Sequence, residues 1–289
     1  MTVPPVALEP AAVAEAFRSA CLLDVEAFKP GNVSVASPGH GMQAGDFVVS
    51  AQAAAPAISA PGLSVGGRIL AAIEATRSAV ACNTNLGIVL LAAPVAQAAL
   101  QAGPPAALRD RVRAVLASLT VQDAAQAYRA IALASPGGLG TAQRHDVHDP
   151  PRVTLLEAMS EAAHRDRIAY QYASGFADVF NVGLPAGRAA LAAGLDVRAA
   201  MTALYMAFLT RFPDSHVARK FGEAAARAVC EEAARCQARM ASSAPQAASE
   251  ALAALDRDLK SRDLNPGTSA DLAVASWFCM AVEDLLKTR

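Results

Sequence analysis

Apolar residues recur along most of this chain at the three- and four-residue spacing of an amphipathic helix, and the runs stop at glycine, proline, aspartate or serine. The spacing predicts helices over 11–28, 46–60, 66–81 and 84–100, and another over 121–133 behind a Thr120–Asp123 capping box. Further helices are expected over 153–168, 169–181, 184–193, 196–212, 216–240, 246–262 and 269–287. Two long polar loops interrupt them, "KPGNVSVASPGHG" after the first helix and "SPGGLGTAQRHDVHDPPR" from Ser135 to Arg152. No 20–50-residue period appears, and no strand alternates with a helix, so neither a solenoid nor a Rossmann or barrel fold is indicated. The stretch 242–267 is the nearest thing to a linker, yet its middle is helical. The expectation is one all-α domain, 1–289, of about ten helices.

Composition agrees: 54% of the 289 residues are hydrophobic and only 5% aromatic, which favours close helix packing over sheets of β-branched and aromatic residues. A net charge of −1 excludes a generally basic surface for nucleic acid but leaves room for one local anion site. The five cysteines, Cys21, Cys82, Cys230, Cys236 and Cys279, form no CxxC pair and are odd in number, as expected of reduced thiols in the cytoplasm. The first residues lack the basic start and apolar core of a signal peptide. Ser78 to Leu108 carries no charge, but its polar residues and a Pro104-Pro105 break leave an apolar core too short to span a membrane; a buried helix is expected. Apolar helices with few charges leave a homodimer open.

In such a chain the informative residues are polar groups at helix ends, because burying one without a partner costs about 1–3 kcal/mol. Five islands stand out. In "EAFKPGNVS" (26–34), Gly31 would admit backbone amides to a ligand and Lys29 would offer a charge, with Asn32 beside them; an ordinary Pro-Gly turn is the plainer reading. In "GHGMQAGDF" (39–47), His40 and Asp46 bracket a turn, with Asp46 either a helix N-cap or a metal or base residue. In "CNTNLGI" (82–88), Asn83 or Thr84 either caps a helix or reads a base or ribose edge. In "DSHVARKFG" (214–222), Asp214 and Ser215 would cap a helix whose face carries His216, Arg219 and Lys220. Three such groups at a helix N-terminus favour a bound polyphosphate or a carboxylate partner over a solvated face. In "NPGTSADLA" (265–273), Thr268 or Ser269 would be the N-cap, and a buried Asp271 would need a cation, a metal or several donors. His145, Asp146, His148 and Asp149 sit in the second loop, where a surface role is the default. No P-loop, GxGxxG or GxSxG is present.

In this order the islands resemble the triphosphoribosyl-dephospho-CoA synthase family over nearly the whole chain. The resemblance implies an all-helical fold, Mg²⁺ dependence, and transfer of the triphosphoribosyl group of ATP to the ribose 2′-hydroxyl of dephospho-CoA with release of adenine. It further implies that Lys29, Arg219 and Lys220 hold phosphates, that Asp46, Asp214 and Asp271 bind Mg²⁺ or accept the attacking proton, and that Asn83 and His40 orient ribose or base. The citrate-lyase-type members carry His-Lys where this chain has Asn85-Leu86, and Arg-Gly-Gly where it has Arg219-Lys220-Phe221-Gly222. Those departures bring it closer to homologues from archaea and from bacteria that use tetrahydromethanopterin or methanofuran. A second reading therefore keeps the site and changes the acceptor to a precursor of such a C1 carrier. A third, a non-catalytic helical binding protein, fits poorly with several acids buried among cations.

Overall fold

A computed structural model describes residues 7–103, 106–142 and 144–288; the expected Pro104-Pro105 break lies outside them. The described residues contain fourteen α-helices and one π-helical turn, with no strand longer than an isolated bridge. The first half contains α1 (Pro10–Glu26), α2 (Ala44–Ser59), α3 (Val65–Ala79), α4 (Leu86–Leu100), α5 (Leu108–Ala117) and α6 (Val121–Ala134). The second contains α7 (Leu155–Ala162), α8 (Arg167–Ser174), the π turn (Val179–Gly183), α9 (Leu184–Ala192) and α10 (Val197–Leu209). It ends with α11 (Ser215–Phe221), α12 (Glu223–Ala241), α13 (Pro245–Ser261) and α14 (Gly267–Lys287).

Helices α4 and α14 pack on each other and form the axis around which the rest are arranged. The apolar α4, drawn from the uncharged run, is buried on all sides, as a helix without a polar face has to be. No helix among the described residues is long and apolar enough to cross a membrane. Pro94 inside α4 has no N–H to give the carbonyl of Leu90, and the Tyr172 hydroxyl of α8 donates to that carbonyl instead, at 2.6 Å. On the opposite side Phe17 of α1 meets Phe278 of α14 edge to face, with ring centres 5.9 Å apart.

The additional helices have local causes. The segment 108–117, not anticipated as a helix, buries Leu108, Val112, Val115 and Leu116 on one stripe. The expected helix 216–240 is broken at Gly222, whose φ of +90° cannot belong to an α-helix. The expected 153–168 and 169–181 become α7, α8 and the π turn, because Asp166 opens α8 by accepting from the N–H groups of Ile168 and Ala169. The Thr120–Asp123 capping box forms as expected, and the second Asp123 oxygen accepts from Gly66 N–H of α3 at 2.8 Å. Gly66 permits that approach: a β-carbon there would stand 2.5 Å from Asp123 Cα.

Candidate functional site

A cavity of about 650 Å³ opens where α1, α4, α8, α11 and α14 come together, with residues 136–142 and 144–147 along its rim. Four of the five islands contribute side chains through their own helix ends, and His40 and Phe47 bring in the remaining one.

Most of the first island packs behind the cavity wall. Lys29 is fully buried; its Nζ lies 2.7 Å from Asp24 Oδ1 and donates to Asn32 Oδ1 at 2.5 Å, and the side chain does not line the cavity. The structure thus corrects its expected contact with phosphate, since an ammonium already enclosed by a carboxylate and an amide has nothing left to offer. Gly31 is likewise a packing position. Its N–H donates to Asp256 at 2.8 Å, and at φ +78° a β-carbon would stand 2.8 Å from Leu259 and 2.9 Å from Pro266. Asn32 does reach the cavity, its Nδ2 donating to Asn265 Oδ1 at 2.8 Å. The Tyr205 hydroxyl donates to the Pro30 carbonyl and pins the loop to α10.

His40 lies on the cavity wall with a φ of +56°, its Nε2 2.8 Å from the Gly31 carbonyl and its Nδ1 2.8 Å from Asp263 Oδ1. A carbonyl only accepts, so Nε2 carries a proton. The His40 contact holds the Asp263 carboxyl below its usual range. Asp46 is neither N-cap nor cavity residue: from the first turn of α2 its Oδ2 accepts the N–H of Gln43, the actual N-cap. Asn83, Thr84 and Asn85 all line the cavity. Asn83 Oδ1 accepts from Leu86 N–H at 3.2 Å, Thr84 donates to Ser50 at 2.6 Å, and Asn85 donates to Thr76 at 3.0 Å.

Asp214 and Asp271, two of the expected metal-binding or catalytic acids, have opposite surroundings. Asp214 is buried, lies off the cavity and caps α11 by accepting from His216 and Val217 N–H, while Ser269 donates to its other oxygen. Neither Thr268 nor Ser269 caps α14, which starts at Gly267; Asp214 supplies that cap from across the interface. Burial pushes the Asp214 carboxyl up, and its four donors oppose the shift. Asp271 is half-buried, lines the cavity, and makes no hydrogen bond or ion pair among the described residues. Burial, followed by the charges of Asp24 and Asp214, pushes its carboxyl well up, with Lys29 opposing.

Asp46, Asp214 and Asp271 do not converge on one point, because Asp46 and Asp214 lie off the cavity and Asp214 has both oxygens engaged. Among the described residues no group of three or more His, Cys, Asp or Glu side chains is arranged to hold a metal ion.

The helix carrying His216, Arg219 and Lys220 does bring all three to the cavity. Arg219 also pairs with Asp166 at 3.0 Å and donates to the Gly137 carbonyl of the rim loop at 3.2 Å. Lys220 is exposed and has no carboxylate partner among the described residues. Burial, then Arg219 and Lys220, lowers the His216 imidazole to about 4, so it is neutral at pH 7.

The sequence reading overlooked Asp24, Asn265, Arg165 and Asp166, all on the cavity. Asp24 had a signal: it continues the apolar stripe Val13, Phe17, Ala20 and Cys21 at helical spacing, where an acid is out of place. Asp166 had a weaker one, the N-cap pattern of "HRDRIAY". Nothing local marks Arg165 or Asn265.

An all-helical fold encloses a cavity lined by carboxylates, among them Asp24, Asp166 and Asp271, and by cations, among them Arg165, Arg219 and Lys220, and the protein is a group-transfer enzyme. The chain belongs to the ATP:dephospho-CoA triphosphoribosyl transferase family, whose profile matches residues 10–289. Its activity is the transfer of the triphosphoribosyl group of ATP to dephospho-CoA. The fold is similar to the crystal structure of an Archaeoglobus fulgidus protein provisionally assigned as a triphosphoribosyl-dephospho-CoA synthase. The TM-score is 0.64 at 23% identity, covering 82% of this chain and 99% of the other. No curated protein matches the chain.

Proposed function

We propose that this cavity is where the transfer takes place, with the ATP triphosphate against His216, Arg219 and Lys220 and the reacting ribose carbon toward Asp271. The supporting observation is the arrangement of charge within one cavity: an unpartnered carboxylate deep inside and an unpaired lysine at the opening. A triphosphate needs the second, and transfer at a glycosidic carbon needs a carboxyl group beside the departing base, which the first supplies. The acceptor 2′-hydroxyl attacks C1′ of the ATP ribose, the bond from C1′ to adenine breaks, and the triphosphate stays on the transferred sugar. Leu90, Leu155 and Met159 give an apolar wall for a base, and Asn83, Thr84 and His40 are placed to orient base or ribose.

Mg²⁺ enters as the counter-ion of ATP, held mainly by phosphate oxygens, as is usual for an ion that keeps its waters and takes few protein ligands. A 650 Å³ cavity is of the size for one such ligand, which leaves the pantetheine arm of dephospho-CoA outside. Five free cysteines suit a reducing cytoplasm.

The test is mass spectrometry of protein incubated with Mg²⁺-ATP, with and without dephospho-CoA. Free adenine together with a triphosphoribosyl adduct is expected. Adenine released only with another cofactor precursor would keep the donor site and change the acceptor. That second reading draws on buried Asn85 and Leu86, which put an amide and an alkyl group on the wall where citrate-lyase-type relatives carry His-Lys.

A further inference from the structure

Among the carboxylates that line the cavity, Asp24 and Asp271 come from two different helices, and of these two only Asp24 has a cation. Asp24 lies in the last turn of α1 and Asp271 in the second turn of α14, helices that pack directly on each other. Lys29 is enclosed against Asp24, and Asn32, which shares that lysine, is itself held by Asn265. Asp271 has no such partner. Its carboxylate lies over the first turn of α4, where Gly87 makes the room: a β-carbon at that position would collide with Asp271 Oδ2. The charged and titratable groups facing Asp271 are Asp24 and the Cys21 thiol from α1, Lys29 from the loop, Asp166 at the head of α8 and Asp214 at the head of α11.

We propose that Asp24 and Asp271 divide the acid and base work of the transfer, Asp271 protonating the departing adenine and Asp24 accepting the proton of the attacking hydroxyl. The inference rests on the cavity being the site of transfer, as argued above. At a glycosidic carbon two carboxyl groups do these jobs only if their environments hold them in different protonation states. Burial raises both carboxyls here, but Lys29 acts directly on Asp24, while Asp271 also feels the negative charge of Asp24. With a cation against Asp24 and none against Asp271, a proton shared by the pair belongs on Asp271.

The step balances. The hydroxyl oxygen forms its bond to C1′ as the C1′–N9 bond breaks, the Asp271 proton passes to the adenine ring, and the hydroxyl proton passes to Asp24. Adenine leaves neutral. Transfer of one proton from Asp24 to Asp271 restores the starting state. Lys29 is a positioning residue that keeps Asp24 ionised.

The test uses two donors, ATP and a ribose triphosphate whose adenine is replaced by 4-nitrophenolate, a leaving group that needs no proton. In Asp271→Asn, kcat with ATP is expected to fall about 10³-fold with KM for ATP little changed, and the nitrophenyl donor to recover most of that loss. Asp24→Asn should lose as much with both donors. Wild-type kcat/KM should fall at low pH as Asp24 protonates and at high pH as Asp271 loses its proton, and Lys29→Met should move the acid limb upward. Equal losses with both donors in Asp271→Asn would overturn the assignment. So would a wild-type profile with no alkaline limb, which needs no variant to fold. Absence of adenine release by the wild type with every acceptor would instead remove the reading of the site itself.

Discussion

Asp214 and Ser269 meet where α11 abuts α14: Asp214 Oδ2 accepts both the backbone N–H and the hydroxyl of Ser269, each at 2.8 Å. With Oδ1 capping α11, one buried carboxylate fastens two helix starts, and those helices carry His216 and Asp271 into the cavity.

Asp214→Ala is therefore expected to act first on stability, by about 3 kcal/mol, since it leaves the Val217 N–H and the Ser269 N–H and hydroxyl without their buried acceptor. Denaturant midpoints would show it. A variant as stable as the parent that no longer binds ATP would mean that Asp214 contacts the ligand.

Gly87→Ala should impair turnover more than folding. The added methyl collides with the Asp271 carboxylate and with Ile168, so Asp271 has to shift within the cavity. A drop in kcat of about 10²-fold or more is expected, on the scale of a small misplacement of a reacting group. Unchanged kcat would show that Asp271 does not need its present position.

His216 predicts a pH window in stability. The folded imidazole is depressed to about 4 from an ordinary 6.5. Between these values the unfolded chain takes up a proton that the folded protein refuses, so stability is full above pH 6.5 and declines as pH falls toward 4. The decline attributable to this group is about 2–3 kcal/mol at most. Melting temperatures from pH 7 to 4.5 should fall less steeply in His216→Gln than in the parent. Parallel curves would assign the acid sensitivity elsewhere.

Lys220→Glu should raise KM for ATP about tenfold or more at low salt, with the effect shrinking as salt is added, because this exposed charge is screened. Its melting temperature should stay close to the parent's, since no carboxylate among the described residues is left unpaired. A KM insensitive to both the charge and the salt would take Lys220 out of the triphosphate site.

Local pattern carried most of the fold. The 3.6-residue period, the capping box at Thr120 and the uncharged α4 segment were legible because each depends on neighbours within about one helical turn. The breaks at Gly222 and Asp166 were harder to read, since a glycine or an aspartate inside a helical pattern is tolerated in many helices.

The candidate site divides in the same way. That His216, Arg219 and Lys220 share a face follows from spacing on one helix, and that Asp271 is at least partly enclosed follows from the apolar run behind it. Whether an acid or a lysine is free to act depends on partners remote in sequence. Asp214 is occupied by Ser269, Gly31 is packed on Leu259 of α13, and Asp46 serves its own helix start. Lys29 is taken by Asp24 five residues away, a distance that joins them only because the chain turns at the end of α1. The sequence by itself therefore determined an all-helical chain with polar islands at its helix ends. Tertiary packing alone decided which of those polar groups are satisfied within the protein and which, like Asp271 and Lys220, are left facing the cavity, because satisfaction of a buried charge is set by distances between elements.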